Sequence, residues 1–311
     1  MPLAVGPAMS ASLGFPGVGM FTATLIAAGR LTPSIVADAQ DRLAAAGCVP
    51  TTLAWIDEGD AADINFGMSP ADARAALEAI FERVDVVVQP MAGRAKALLV
   101  ADMDSTMITV ECIDELADYA GIKPEIAAIT EAAMRGELDF EEALDARVAL
   151  LKGMDEAVID RCRAERVRIM PGARELVRTM RRRGGTAILV SGGFTRFAEP
   201  VAAEIGFDRA IANVLEIADG ALTGTAAKPI VGAATKKATL LEARAALGLA
   251  DDATLAVGDG ANDLSMIEVA GLGVAYHAKP IVAAAAAARI DHGDLTALLW
   301  AQGIPRAEWV R

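Results

Sequence analysis

Histidine is almost absent from this chain of 311 residues: only His277 and His292 occur. They stand far from the acidic clusters described below, so a zinc site is not expected. Cys48, Cys112 and Cys162 are odd in number, widely spaced and without a C-x-x-C pair. That argues against a disulfide framework and fits a reducing cytoplasm. Basic charge is also scarce. Against 42 acidic residues stand 29 basic ones, a net charge of −13, which speaks against nucleic acid as a partner. The densest basic run, Arg181-Arg182-Arg183, precedes Gly184-Gly185 and reads as a last helical turn before a glycine stop. Residues 1–29 carry no charge, yet no Lys or Arg precedes Arg30, and Pro2, Pro7 and Pro16 interrupt the stretch. A secretory signal is therefore not expected. The densest apolar piece there, residues 21–28, is far too short to span a membrane. The expectation is a flexible start over residues 1–19, then a first strand.

What is present is ample apolar material, 54% of the residues, enough for one large domain or two moderate ones. Residues 1–92 show a pattern of their own. Strands are expected near 21–26, 51–66 (a pair turning at Gly59-Asp60) and 85–89. Helices are expected over 33–46, capped by Thr32, and over 69–83, with Ser69 as cap and Pro70 at the first position. This strand–helix–strand–strand–helix–strand order predicts a small α+β, ferredoxin-like domain. Residues 90–93 form the expected linker to a second domain over 93–311. Within it, residues 108–168 read as a helical insert with helices near 111–120, 124–135, 140–152 and 156–166; Asp139 and Glu142 form a capping box for the third. Further on, helices expected over 171–183, 195–206, 238–247 and 263–270 alternate with short apolar strands. That alternation predicts a doubly wound parallel sheet, hence an α/β fold. The alanine-rich run 283–288 fits an ordinary helix.

Chemistry gathers where apolar runs end. Asp102-Met103-Asp104-Ser105-Thr106 follows Ala97-Leu98-Leu99-Val100-Ala101. Two carboxylates so close repel each other unless a cation or substrate holds them, and parallel-sheet enzymes work at strand carboxyl ends. Ser191-Gly192-Gly193 follows a second apolar run, and Gly258-Asp259-Gly260-Ala261-Asn262-Asp263 a third. Between them lies Thr235-Lys236-Lys237, at the start of a helical run. Gly258-x-Gly260 lacks the third glycine of a dinucleotide fingerprint. In the insert, Arg147 falls within the apolar stripe of Phe140, Leu144, Val148 and Leu151, where an arginine needs an anion, a structural ion pair or a path to solvent.

An Asp pair, a Ser with glycines, a Lys and a second acidic cluster, in that order, resemble the haloacid dehalogenase superfamily over roughly residues 94–300. Residues 100–111 and 256–263 resemble its phosphoserine phosphatase branch. The resemblance implies a nucleophilic Asp102, an acid–base Asp104, and Mg2+ held by the Asp102 carboxylate, the Asp104 carbonyl and Asp259, with Asp263 nearby. It implies phosphate contacts from Ser191, Gly192, Asn262 and Lys236; Lys237 is the alternative, which the spacing to Asp259 disfavours. It places Arg147 on a substrate carboxylate, Glu111 on an amino group, and Met134 and Phe140 along the pocket. The implied substrate is O-phospho-L-serine, hydrolysed through an aspartyl-phosphate; the alternative is a related phosphatase or phosphotransferase acting on phosphohomoserine, phosphothreonine or another small phosphomonoester. The N-terminal domain looks like the ACT domains attached to amino-acid enzymes, and two-domain members often form homodimers. A non-catalytic amino-acid sensor is the competing expectation, and the intact set Asp102, Asp104, Lys236, Asp259 speaks against it.

Overall fold

The structure, a computed structural model, describes residues 20–134 and 137–311, without the side chain of Met134. The expectations for residues 1–19, for Arg135 in the second insert helix and for Met134 as a pocket wall therefore lie outside the described residues.

The N-terminal unit comprises β1 (Phe21–Ile26), α1 (Pro33–Ala45), β2 (Pro50–Asp57), β3 (Ala61–Phe66), α2 (Pro70–Leu77) and β4 (Asp85–Pro90). Its strands form an antiparallel sheet in the order β2-β3-β1-β4, the expected ferredoxin-like arrangement. Thr32 caps α1 by accepting the Ile35 amide at 3.3 Å. The second helix differs from the sequence reading. Ser69 has φ +52° and makes no capping bond, and the chain turns extended at Glu78. In that left-handed conformation the Ser69 hydroxyl is not presented to the helix amides. On one face of the sheet, Ala23 and Leu25 pack with Val36, Ala39 and Leu43. Thr22, Thr24 and Ile26 point the other way, where Ile26 joins the core that holds Trp300. The central strand β1 is thus covered on both faces, whereas residues 51–54 of β2 are exposed.

The second unit begins with β5 (Leu98–Ala101), followed by the insert helices α3 (Cys112–Ala120), α4 (Lys123–Met134), α5 (Phe140–Ala149) and α6 (Ala157–Arg166). The capping box of Asp139 and Glu142 starts α5 as expected. The chain continues through α7 (Ala173–Arg182), β6 (Thr186–Phe194), α8 (Thr195–Ile205), β7 (Arg209–Asn213), β8 (Leu215–Ala218), β9 (Ala221–Ala226) and α9 (Ala233–Ala246). It closes with β10 (Thr254–Gly258), α10 (Leu264–Ile267), β11 (Leu272–Tyr276), α11 (Pro280–Ala285), β12 (Ala288–Ile290) and α12 (Ala297–Ala301). Six strands make a parallel sheet in the order β12-β11-β10-β5-β6-β7. The chain runs outward from β5 through β6 to β7, then returns to β10 on the other side. That reversal opens a crevice beyond the carboxyl ends of β5 and β10.

Three features depart from the sequence reading. The hairpin β8–β9 was not foreseen; it braces the insert through Gly153 N to Leu222 O and Leu222 N to Met154 O, each 2.8 Å. The helix expected over 263–270 is confined to α10. The alanine run 283–288 splits between α11 and β12, because alanine suits either state and pairing with β11 claims Ala288.

Candidate active site

Every predicted catalytic side chain sits at the carboxyl edge of the parallel sheet. Asp102 is the first residue after β5, and its amide donates to the Val257 carbonyl at 3.0 Å, tying it to β10. Lys236, in the first turns of α9, is fully buried. Its Nζ donates to Asp102 Oδ1 at 2.6 Å and to Asp263 Oδ1 at 2.5 Å. Lys237 is exposed on the other side of the helix. Asp102, Asp259 and Asp263 each offer an oxygen within 4.8 Å of the others. Asp263 also accepts the Gly260 amide at 3.0 Å, which closes the acidic loop after β10.

The electrostatics are unbalanced. Burial raises the pKa of Asp102 well above the usual carboxylate range, and Asp263 adds to this; Lys236 opposes it without prevailing. Burial also raises Asp259 to about 6, although a hydrogen bond from Thr106 Oγ1 at 2.9 Å works the other way. Asp104 is raised to about 7, first by burial and then by Glu111, against the Cys112 amide that donates to it at 3.1 Å. Burial on its own would lower Lys236, yet Asp102 and Asp263 outweigh it and raise its pKa. One lysine cannot neutralise three adjacent carboxylates, so the donor set fits a hard divalent cation bound through oxygen.

Facing this edge is Ser191, fully buried near the end of β6, whose Oγ accepts the Gly193 amide at 2.8 Å and keeps its own proton free to donate. A Cβ at Gly193 would lie 2.7 Å from Asp104 Oδ2, so the close approach of this loop to the acid requires glycine. The insert covers the site through Phe140: a Cβ on Gly192 would meet its ring at 3.0 Å, and one on Gly232 at 3.2 Å. Arg147 is half-buried, with Nε donating to Ala143 O at 3.1 Å. Burial lowers its pKa, while Asp114 and Glu111 act in the opposite sense. Glu111 Oε1 accepts from Ser105 Oγ at 2.7 Å. Asn262 is half-buried and makes no side-chain hydrogen bond among the described residues.

Sequence reasoning missed two supporting side chains. Thr106 is fully buried and holds Asp259; its place in the acidic string was the available signal. Asn213 ends β7 and bridges two loops, donating to Gly192 O at 2.8 Å and accepting the Val231 amide at 2.7 Å. Nothing in its neighbourhood along the chain marks that role.

The sequence model of the haloacid dehalogenase-like hydrolases matches residues 99–268. The chain belongs to that family. Among its relatives, the phosphoserine phosphatase of Streptomyces coelicolor is 48% identical over 241 residues, covering 77% of this chain and 58% of that protein. The phosphoserine phosphatase of Albidiferax ferrireducens is 49% identical over 207 residues, covering 65% of this chain and 87% of the other. The chain thus spans little more than half the length of the Streptomyces relative. A crystal structure of a probable phosphoserine phosphatase from Vibrio cholerae, in unliganded form, superposes with a TM-score of 0.71 at 34% identity, covering 91% of this chain and 88% of that one. The likeness therefore extends over the N-terminal sheet as well as the hydrolase sheet. No helix among the described residues is long and apolar enough to cross a membrane.

Proposed function

We propose that the protein hydrolyses O-phospho-L-serine to L-serine and inorganic phosphate, the last step of serine biosynthesis, with Mg2+ as cofactor. The observation that carries this reading is Lys236 buried between Asp102 and Asp263, beside Asp259, where β5 and β10 end. Asp102, Asp259 and the main-chain carbonyl of Asp104 would hold the metal, with Asp263 beside them. When bound, the ion would supply positive charge that keeps Asp102 ionised and offsets the phosphoryl oxygens.

A carboxylate oxygen of Asp102 attacks phosphorus in line, and the bond from phosphorus to the serine oxygen breaks. Asp104, protonated to about pH 7 by its surroundings, gives its proton to the departing oxygen. The resulting acyl phosphate on Asp102 splits one hard displacement into two. Asp104, now ionised, takes a proton from water as its oxygen attacks phosphorus, which frees phosphate and restores Asp102. Ser191, the Gly192 amide, Asn262 and Lys236 contact phosphate oxygens. Arg147 receives the substrate carboxylate and Glu111 its ammonium group, and Phe140 excludes water above Gly192.

Support comes from the relatives named above and from an insert cation, Arg147, whose pKa the insert acids Asp114 and Glu111 push up against the larger effect of burial. Three free, buried cysteines suit a reducing cytoplasm. The test is phosphate release from a panel of small phosphomonoesters, including phosphohomoserine and phosphothreonine, with and without Mg2+. Phosphoserine is expected to have the highest kcat/KM, and release is expected to cease on chelation. A better substrate lacking an amino or carboxylate group would overturn the assignment.

A further inference from the structure

The N-terminal sheet meets the catalytic sheet near the acidic loop through one buried carboxylate. Asp85, the first residue of β4, is 4% exposed. Its oxygens accept three consecutive amides of the turn that follows β12: Asp291 at 2.8 Å, His292 at 3.1 Å and Gly293 at 2.7 Å. A Cβ on Gly293 would lie 3.0 Å from Asp85 Oδ2, so the turn is closed tightly about the carboxylate. From this turn, contacts continue to the acidic loop. His277 Nε2 lies 2.9 Å from the Gly293 carbonyl, which can only accept, so Nε2 carries the proton. His277 also donates its amide to Ile290 O at 2.8 Å. It directly follows β11 and holds φ at +44°, a conformation that a side chain resists and the surroundings must impose. Two residues further on, the Lys279 amide donates to the Asp259 carbonyl at 3.3 Å.

We propose that Asp85, a residue of the N-terminal unit, is a positioning residue for the metal site, acting on Asp259 through the 291–293 turn, His277 and Lys279. The inference rests on Asp259 being a metal ligand, as proposed above. Of the other ties between the units, two reach β12 and the residues just before it, where Arg74 Nη1 donates to Ala286 O at 2.7 Å and Glu78 Oε1 lies 3.7 Å from Arg289 Nε, but neither takes an amide of the 291–293 turn. Gln89 Nε2 donates to Ala301 O at 2.7 Å, and Asp57 accepts from Trp300 Nε1 at 2.6 Å and from the Arg306 amide at 2.8 Å. These bonds grip α12 and the segment after it. Asp85 grips the turn that touches His277. Without its carboxylate, three amides of this part-buried turn lose their acceptor, and the turn is no longer held in place.

The experiment is a calorimetric Mg2+ titration of the metal-free full chain, with the Mg2+-induced rise in unfolding temperature as a second readout. Asp85→Ala is expected to weaken Mg2+ binding roughly 3- to 30-fold. Asp85→Asn should shift it less in the same direction. His277→Gly, which keeps the left-handed backbone and deletes the ring, should weaken it comparably. Gln89→Ala should lose stability without altering Mg2+ affinity. Unchanged affinity in the Asp85 and His277 variants, or an equal loss in Gln89→Ala, would overturn the proposal. If Asp85→Ala does not fold, Asp85→Asn and His277→Gly decide. Undiminished Mg2+ binding by Asp259→Asn would instead remove the metal reading on which the proposal stands.

Discussion

Two clusters that set a largely buried cation against buried carboxylates differ in balance, and only one of them is complete. Between the N-terminal sheet and α12, Arg94 forms a two-pronged pair with Asp63, Nη1 to Oδ2 at 2.6 Å and Nη2 to Oδ1 at 2.7 Å. Its remaining donors reach Thr24 Oγ1 at 3.0 Å and Ala301 O at 2.8 Å, and Thr24 in turn donates to Asp63 at 2.7 Å. One cation meets one anion, and the leftover hydrogen-bonding groups find neutral partners. At the carboxyl edge of the parallel sheet, Lys236 faces Asp102 and Asp263, with Asp259 and Asp104 close by. Burial lifts the pKa of Asp102, Asp104 and Asp259 there because the protein supplies too little positive charge. A completed ion pair holds two units together; an incomplete one leaves carboxylates whose charge a cation would offset.

The sharpest way to break this contrast is at the incomplete site. Asp102→Asn is expected to lower kcat by about 10⁴-fold or more, since the nucleophile is lost while folding is not. Mass spectrometry of rapidly quenched samples should find the labile phosphoryl adduct on Asp102 in the native protein and none in the variant. At the complete site, Arg94→Ala should cost about 3–5 kcal/mol of stability in urea unfolding, because Asp63 is left buried and unpaired. Turnover per folded molecule should be preserved; if turnover fell with stability intact, the division into a structural and a functional cluster would fail.

Smaller effects refine the picture. Arg147→Ala should reduce kcat/KM for phosphoserine by about 10²- to 10³-fold. The loss should be confined to substrates that carry a carboxylate, and an equal loss for simple alkyl phosphates would point to a structural role. The smallest effect concerns pH. Asp104 and Asp259 have folded pKa values of about 7 and about 6, above those of an unfolded chain. Between the ordinary carboxylate range and about 7, the metal-free folded state therefore binds more protons than the unfolded one, so its stability falls as pH rises through that window. Scanning calorimetry should show metal-free protein melting lower near pH 8 than near pH 5, with Mg2+ closing the gap. A metal-free melting point that rose over this window would contradict the unbalanced reading.

Much of the site was legible because its parts are short strings at the ends of apolar runs. Asp102 and Asp104 after β5, Ser191 within β6 and Asp259 after β10 needed only the rule that parallel sheets do chemistry at their carboxyl ends. Lys236 and Lys237 were harder to separate. Adjacent helical residues differ by about 100° in direction, so one faces the site and the other faces water. Which is which follows from how α9 rolls against the sheet. The hairpin β8–β9 did carry a signal, Asp219-Gly220 between short apolar stretches, with φ values of +50° and +77° in the structure. Asn213 carried none, since both of its loops are remote along the chain.

The N-terminal unit shows the same division. In β1, Ala23 and Leu25 line one face and Thr22, Thr24 and Ile26 the other. Yet Thr22 and Thr24 are fully buried, because a second unit, not solvent, covers that face. Periodicity and strand-end motifs are properties of neighbouring residues, so the fold class, the order of elements and the acidic strings at the strand ends were already present in the linear chain. Burial, the excess of carboxylate over ammonium around Lys236, and the reach of Asp85 to the turn beyond β12 depend on segments up to two hundred residues apart coming together. Desolvation and Coulomb energy act through space, and space is settled when the two sheets pack.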